Sequence, residues 1–282
     1  MRKEHTVQRS YKPLPITSNV ITPEICGAIP RVEAQPKQLE FAKQVPFDTV
    51  MLDTYRAERL MDAGETADTL FPNATIILTS TFEDERLELW YLERELDVAI
   101  EFGADVVVPC DVPVYEDDPR QQRIQDIRIY AENVVEATRL FHEYGIAVIP
   151  LVKGEDPYER QICYDAFDQA NLGFVSYYCS QYFLYGFRYS DLLTTVRDIA
   201  REYDPEGIML IGFQSENYLS DFPPAVKAAA GFRWFWKSSL DHESLSVAER
   251  NFGEWERRVD ASLRTGQTLL DAFAMRQTYG GL

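Results

Sequence analysis

The chain has 282 residues, of which 45% are hydrophobic, and its 28 Lys and Arg against 46 Asp and Glu give a net charge of −18. This hydrophobic fraction excludes a disordered chain, and no apolar run approaches the ~20 residues that a membrane span needs. The acidic balance opposes non-specific binding to polyanions, so a nucleic-acid ligand would require a local basic surface. Such a balance fits an ordinary acidic protein and also a protein adapted to concentrated salt. Because residues 1–5 are polar and lead into no apolar segment, we expect a cytoplasmic location and no membrane partner.

Short apolar runs alternate with amphipathic segments along the chain. The runs predict strands, in chain order, at 16–21, 49–52, 75–79, 105–110, 146–152, 173–178, 208–212 and 232–237. Helical periodicity predicts helices at 83–102, 120–144, 158–170, 189–203, 218–230 and 245–277. Strand and helix alternating eight times indicate an α/β protein with a parallel sheet. We predict a (β/α)8 TIM barrel in one domain, with the barrel over 15–240 and a helical extension over 241–282, and a doubly wound open sheet as the alternative.

In barrel enzymes the reacting groups lie at the carboxyl ends of the strands. Asp111 follows the run Val106-Val107-Val108-Pro109, and a carboxylate at the end of so apolar a strand needs partners or a ligand. It could cap a helix or pair with an arginine, or it could accept N–H groups of a ligand. Asp53 has the same kind of position and the same two interpretations.

Other strand ends supply candidate binding groups. Lys153, beside Gly154, could anchor an anion or form an ion pair with Asp111, and the glycine would let a ligand approach the backbone. Cys110 and Cys179 fit small buried residues better than nucleophiles. Further candidates are Gln181, Trp236 and Lys237, although the aromatic run at 234–236 is also typical of a core or an interface.

The sequence predicts neither a metal site nor a cofactor. Its four cysteines form no Cys-x-x-Cys pair, and three histidines supply no zinc spacing. Arg120, Arg123 and Arg128 stand at helical spacing after Asp111 and could form a basic lip for a polyanion. The alternative is that Arg123 pairs with acidic residues at the surface.

Several strand-end segments, taken in order, resemble the tRNA-guanine transglycosylase superfamily, and its archaeal branch most closely. The segment 103–113, Gly-Ala-Asp-Val-Val-Val-Pro-Cys-Asp-Val-Pro, resembles the strand whose aspartate grips the purine. Val152-Lys153-Gly154 is similar to the family's Val-Gln-Gly, and Leu52-Asp53-Thr54-Tyr55 to its Asn-Thr-Tyr motif. Segment 187–193 resembles the start of the family's next helix, and 235–239 lies where the family carries Phe-Asp-Ser-Ala-Ser. The resemblance spans about 15–240 as many short matches in the same order.

The resemblance implies a TIM barrel that exchanges guanine for a 7-deazaguanine base in nucleic acid by attack at the ribose C1′. The absence of the archaeal RNA-binding domains favours the DNA-modifying branch, with tRNA as the other substrate. Two family aspartates are missing, however: the nucleophile aligns at or beside Trp236, and the second acid near Leu78 or Thr79. A shift of the alignment would bring Asp241 or Glu243 to the first position. The family's zinc ligands are absent as well.

Three functional hypotheses follow. The first is guanine base exchange, with Asp111 and Asp53 as catalytic carboxylates and Cys110, Lys153, Gly154, Gln181, Trp236 and Lys237 contacting the substrate. The second is a non-catalytic purine-binding or nucleic-acid-binding homologue, in line with the missing nucleophile. The third is a lyase or hydrolase that uses Lys153 as a Schiff base. The family also suggests a homodimer or a partner subunit.

Overall fold

The structure, a computed structural model, describes residues 24–87 and 90–279, with the side chains of the last helix described to residue 265. It is an α/β protein with two four-stranded parallel sheets, ordered β1-β8-β7-β6 and β2-β3-β4-β5. The strands are β1 Gly27–Pro30, β2 Thr49–Asp53, β3 Thr75–Thr79, β4 Val106–Val108, β5 Ala147–Val148, β6 Phe174–Tyr178, β7 Gly207–Ile211 and β8 Val226–Gly231.

Helices follow most of the strands. They are α1 Pro36–Gln44, α2 Thr54–Asp62, α3 Ala67–Leu70, α4 Asp84–Leu87, α5 Leu92–Phe102, α6 Arg120–Glu143, α7 Pro157–Gln169, α8 Gln181–Leu184, α9 Tyr189–Tyr203, α10 Arg233–Ser238 and α11 Leu245–Tyr279. A short 3-10 helix spans Leu219–Asp221. Within the described part of the chain, no helix combines the length and the apolarity needed to cross a membrane.

Backbone contacts join the two sheets at both of their edges. An isolated parallel bridge pairs Arg31 with Met51, and another pairs Leu151 with Ser176. Ser176 donates its N–H to the carbonyl of Pro150 over 2.7 Å. The bridging residues Arg31 and Leu151 lie just beyond β1 and β5, and β1 also pairs with β8. Because all these pairings are parallel, the carboxyl ends of the strands face one side.

The strands are apolar because both of their faces are covered. Every residue of β4 and β7 is buried, in keeping with their Val, Ile, Leu and Met content. The three alanines 228–230 of β8 are completely buried, and these small side chains leave room for the larger groups around them. Helices α6, α7 and α9 confirm three predicted helices to within one residue at each end.

Two predicted elements near the end of the sheet region are wrong. The predicted helix at 218–230 is a 3-10 turn followed by β8, since burial of the alanines against both neighbours outweighs their helix propensity. The predicted strand at 232–237 is helix α10. There Trp234 is buried and donates its indole N–H to the Arg31 carbonyl, whereas Trp236 is 72% exposed.

Other boundaries differ less. The predicted helix at 83–102 is divided into α4 and α5, and strand β1 and helices α1 and α2 were not predicted. The predicted strand at 16–21 lies outside the described residues.

Candidate functional site

The structure brings Asp111 and Lys153 together at the carboxyl ends of β4 and β5. Nζ of Lys153 donates to Oδ1 of Asp111 over 2.6 Å, and the two side chains are only 12% and 17% exposed. The Lys153 ammonium also lies 5.0 Å from the centroid of the buried Tyr130 ring. Oδ2 of Asp111 has no hydrogen-bond partner among the described residues. The predicted ion pair is present, and one carboxylate oxygen remains available to a donor.

The backbone around Asp111 is held by hydrogen bonds from neighbouring elements. Cys110 has a left-handed conformation with φ of 61°, which is uncommon for a non-glycine residue and turns the chain out of β4. Its N–H donates to Oε2 of Glu95 over 3.1 Å, and the Asp111 N–H donates to Oγ of Ser80 over 2.9 Å. The position of Asp111 therefore depends on α5 and on the residue that follows β3.

Glu95 is a site residue that the sequence analysis missed. Burial, together with the charge of Asp111, raises the pKa of Glu95 to about 8. Its Oε1 is buried without a hydrogen-bond partner among the described residues. A signal was present in the sequence: Glu95 lies on the same helical face as Val98, Ala99 and Phe102, where an apolar residue is expected.

The two predicted thiols are held in their protonated form. Burial raises the pKa of Cys110 well above its usual value, and nearby Glu95 and Asp111 raise it further. Burial likewise raises the pKa of Cys179. Since the thiolate is the nucleophile, neither cysteine is activated in this structure, in agreement with the interpretation as small buried residues.

Gly154 is required for packing. It has φ of 113°, and a Cβ added there would lie 2.7 Å from the Cβ of Glu159 and 2.9 Å from the Arg160 nitrogen. The glycine thus allows the chain after β5 to pass the start of α7.

Two of the arginines predicted to form a basic lip are in ion pairs. Arg123 pairs with the buried Glu159 at 2.8 Å, and Arg120 pairs with Asp156 at 3.0 Å. These two arginines therefore pair with acidic residues, which is the alternative to a basic lip.

Asp53 is engaged by its own helix. Its carboxylate caps α2 by accepting the Arg56 N–H over 2.7 Å and also forms an ion pair with the Arg56 guanidinium. The side chain is 1% exposed. Asp53 and Asp111 share no hydrogen-bond partner, so the structure does not unite them in one acidic pair. Helix capping and arginine pairing, rather than recognition of a ligand, describe the contacts of Asp53.

The remaining candidates lie after β6 and β8. Gln181 is exposed at the start of α8, and Trp236 is exposed on α10. Lys237 pairs with Glu216 at 2.5 Å, and Arg233 reaches the same carboxylate at 3.2 Å. These groups follow other strands than Asp111 and Lys153, and no hydrogen bond joins the two sets in the described part.

In residues 24–87 and 90–265, whose side chains the structure describes, no three His, Cys, Asp or Glu side chains converge in a way that could hold a metal ion. A scan against protein-family models finds no match to this chain, and a search of curated proteins finds no similar sequence.

Proposed function

We propose that the two sheets form one closed (β/α)8 barrel. One support is the strand order: in both sheets, adjacent strands are consecutive in the chain, except that β1 lies beside β8. The other is the pair of parallel bridges between the sheets, Arg31–Met51 and Leu151–Ser176. The barrel would place Asp111 and Lys153 at its carboxyl-terminal end, where barrel enzymes bind their substrates. Helix α11 would form the extension that follows the barrel.

The proposed function is recognition of a guanine-type base, guanine or a 7-deazaguanine, by Asp111. The observation that carries this proposal is the Asp111 carboxylate itself, mostly buried, with one oxygen on Lys153 and the other without a protein partner. An ionised carboxylate only accepts hydrogen bonds, and the Watson–Crick edge of guanine offers adjacent N–H donors. Lys153 compensates the carboxylate charge, which lowers the desolvation cost of covering the site with a base.

Among the homologues that the family resemblance suggests, the geometry favours a base-binding protein without exchange activity. Attack at C1′ requires a free nucleophile in addition to the base-binding acid. Asp53 caps α2, pairs with Arg56 and is almost inaccessible, so it would have to leave two hydrogen-bond donors, the N–H and the guanidinium of Arg56, before reacting. Nucleic acid or a free base is the partner in this proposal.

Guanine base exchange in DNA, or in tRNA, is the second candidate, and one observation favours it. Burial, with a smaller contribution from the charge of Asp111, raises the pKa of Glu95 to about 8, so a carboxyl group that keeps its proton near neutral pH lies close to Asp111. Two carboxyl groups in opposite protonation states are what general acid–base catalysis uses. In this candidate Glu95 would hold the proton and Asp111 the base. A Schiff-base role for Lys153 stays a prediction and would require the lysine to leave Asp111.

Calorimetry with guanine and 7-deazaguanine tests base recognition, with uracil as the control base. We expect the guanine-type bases to bind and Asp111→Asn to weaken them at least about tenfold, because an amide presents a donor where the carboxylate presents an acceptor. Equal binding of both bases to Asp111→Asn and to the parent would refute the proposal. Incubation of the parent with DNA or tRNA and labelled guanine then separates the candidates: incorporated label establishes exchange, and binding without incorporation establishes the binding homologue.

A further inference from the structure

A cavity lies beside the carboxyl ends of β1 and β2, and neither Asp111 nor Lys153 lines it. Its volume is about 400 Å³, which falls in the range of about 300–1,000 Å³ that is usual for small-molecule sites. The charged groups that line it are the arginines 56, 59 and 86 and the carboxylate of Glu33. Three positive charges and one negative charge leave the lining with a net charge of +2, on a chain whose net charge is −18.

Two of these guanidinium groups lie over the aromatic ring of Tyr55. Cζ of Arg86 lies 4.2 Å from the centroid of the Tyr55 ring, and Cζ of Arg59 lies 6.0 Å from it. Arg86 also approaches Glu83 at 3.3 Å. Arg59 is exposed and, among the described residues, has no carboxylate partner. In so acidic a protein, an arginine at a cavity that has no carboxylate partner among the described residues is suited to an anion from outside.

The third guanidinium, that of Arg56, is held in position by two carboxylates. Asp53 pairs with its Nη1, as described above, and Oε1 of Glu33 lies 3.6 Å from its Nη2. Only 25% of the Arg56 side chain is exposed, so its position at the cavity wall is defined by packing and by these carboxylates. The aspartate that resembled a catalytic group thus positions an arginine of this cavity.

We infer that the cavity binds a phosphate group through Arg59 and Arg86, and that Arg56 forms part of the cavity wall. Guanidinium groups donate in a planar fork that matches the oxygens of phosphate, and they keep their charge at every physiological pH. A cavity of this volume exceeds a bare phosphate ion, so the phosphate would belong to a larger ligand. This site uses none of the residues assigned to base recognition and does not depend on that function.

The test is calorimetry on the full chain with two probes that contain no guanine. Inorganic phosphate represents a free phosphate or a monoester, and a short oligothymidylate represents the diesters of a nucleic-acid backbone. Binding of either probe, weakened at least about tenfold in Arg59→Gln/Arg86→Gln, supports the inference and identifies the source of the phosphate. Because neither probe carries the base that Asp111 would recognise, failure here is distinct from failure of the proposed function.

Arg201→Gln is the matched control, since Arg201 is exposed and pairs with Asp198 on α9. It should bind both probes like the parent. Arg59→Glu provides a single exposed change that reverses the charge and leaves Arg86 in place; it should also lose binding. The inference is overturned if neither probe binds, or if the pocket variants bind as well as Arg201→Gln does.

Discussion

Lys153 and Asp111 join the ends of two neighbouring strands through an ion pair of 2.6 Å in which both side chains are largely covered. The attraction within such a pair adds little net stability, because both charges lose water on burial. Removing one partner is nevertheless costly, because it leaves the other charge buried without a counter-ion. The pair therefore links the stability of the fold to the charge state of the proposed base-binding acid.

Replacing Lys153 with methionine should destabilise the protein by about 1–3 kcal/mol, since Asp111 would remain mostly buried without its counter-ion. The free energy of unfolding from urea titrations measures this. Lys43→Met is the control, because Lys43 pairs with Glu65 in a much more exposed position and should matter by less than about 1 kcal/mol. Equal unfolding free energies for the two variants would contradict a buried pair.

Glu95→Gln should flatten the pH dependence of stability. The folded-state pKa of Glu95, about 8, lies above its ordinary value of 4.5, so the folded state holds this proton more tightly than the unfolded state. The parent should therefore lose stability as pH rises from about 4.5 to about 8, with a slope of at most about 1.4 kcal/mol per pH unit from this group. The variant lacks that contribution and should gain relative to the parent at pH 8.

Urea unfolding midpoints at acidic and alkaline pH measure the difference between parent and variant slopes. Glu93→Gln, an exposed change on the same helix, should keep the parent slope. Burial also raises the pKa of Glu256, to about 7, but that contribution is common to all three proteins and cancels in the comparison. Parallel profiles for Glu95→Gln and the parent would show that Glu95 is not held neutral.

Asp53→Ala should lower stability by about 1–2 kcal/mol, because it removes the cap of α2 and the counter-ion of Arg56. Asp53→Asn keeps an oxygen for the cap and should lose less. In calorimetry with guanine, Asp53→Asn should bind within about twofold of the parent, whereas Asp111→Asn should not. A loss of guanine binding as large in Asp53→Asn as in Asp111→Asn would place Asp53 in the base site after all.

Gly154→Ala should destabilise the fold by about 2 kcal/mol or more, since it combines an unfavourable φ with contacts of 2.7 and 2.9 Å against α7. Gly64→Ala is matched in having a positive φ of 83° but meets nothing within 4 Å, and it should cost about 1 kcal/mol. Thermal unfolding compares the two. If Gly154→Ala were no worse than Gly64→Ala, close packing would not be the reason for the glycine.

Most strands and the longer helices could be predicted from the sequence, because runs of Val and Ile and helical periodicity are visible within a short segment. The elements from residue 218 to residue 237 could not be predicted in this way. Ala228–Ala230 favour a helix locally, and only the parallel neighbours β1 and β7 make them a strand. The chain after β8 then forms α10, in which Trp234 turns inward and Trp236 outward.

The site was predictable in part for the same reason. Asp111 and Lys153 both follow apolar strands, so their proximity could be expected before any coordinates. Glu95 lies on α5, between β3 and β4 in the sequence, and its contact with the Cys110 N–H depends on tertiary packing. The role of Asp53 depends on Arg56, three residues later, whose direction a strand-end argument does not specify.

Strand β1 has its partners at the far end of the chain. Gly27 pairs with Ala228, and the Ala28 N–H donates to Oδ1 of Asp260 in α11, across 232 residues of sequence. A ribosome must therefore add 232 residues after Ala28 before the first described strand can acquire the hydrogen bond to Asp260. Until then, the nascent polypeptide would expose β1 to chaperones and proteases. A chain shortened before Asp260 would fold without the hydrogen bond from the Ala28 N–H to α11.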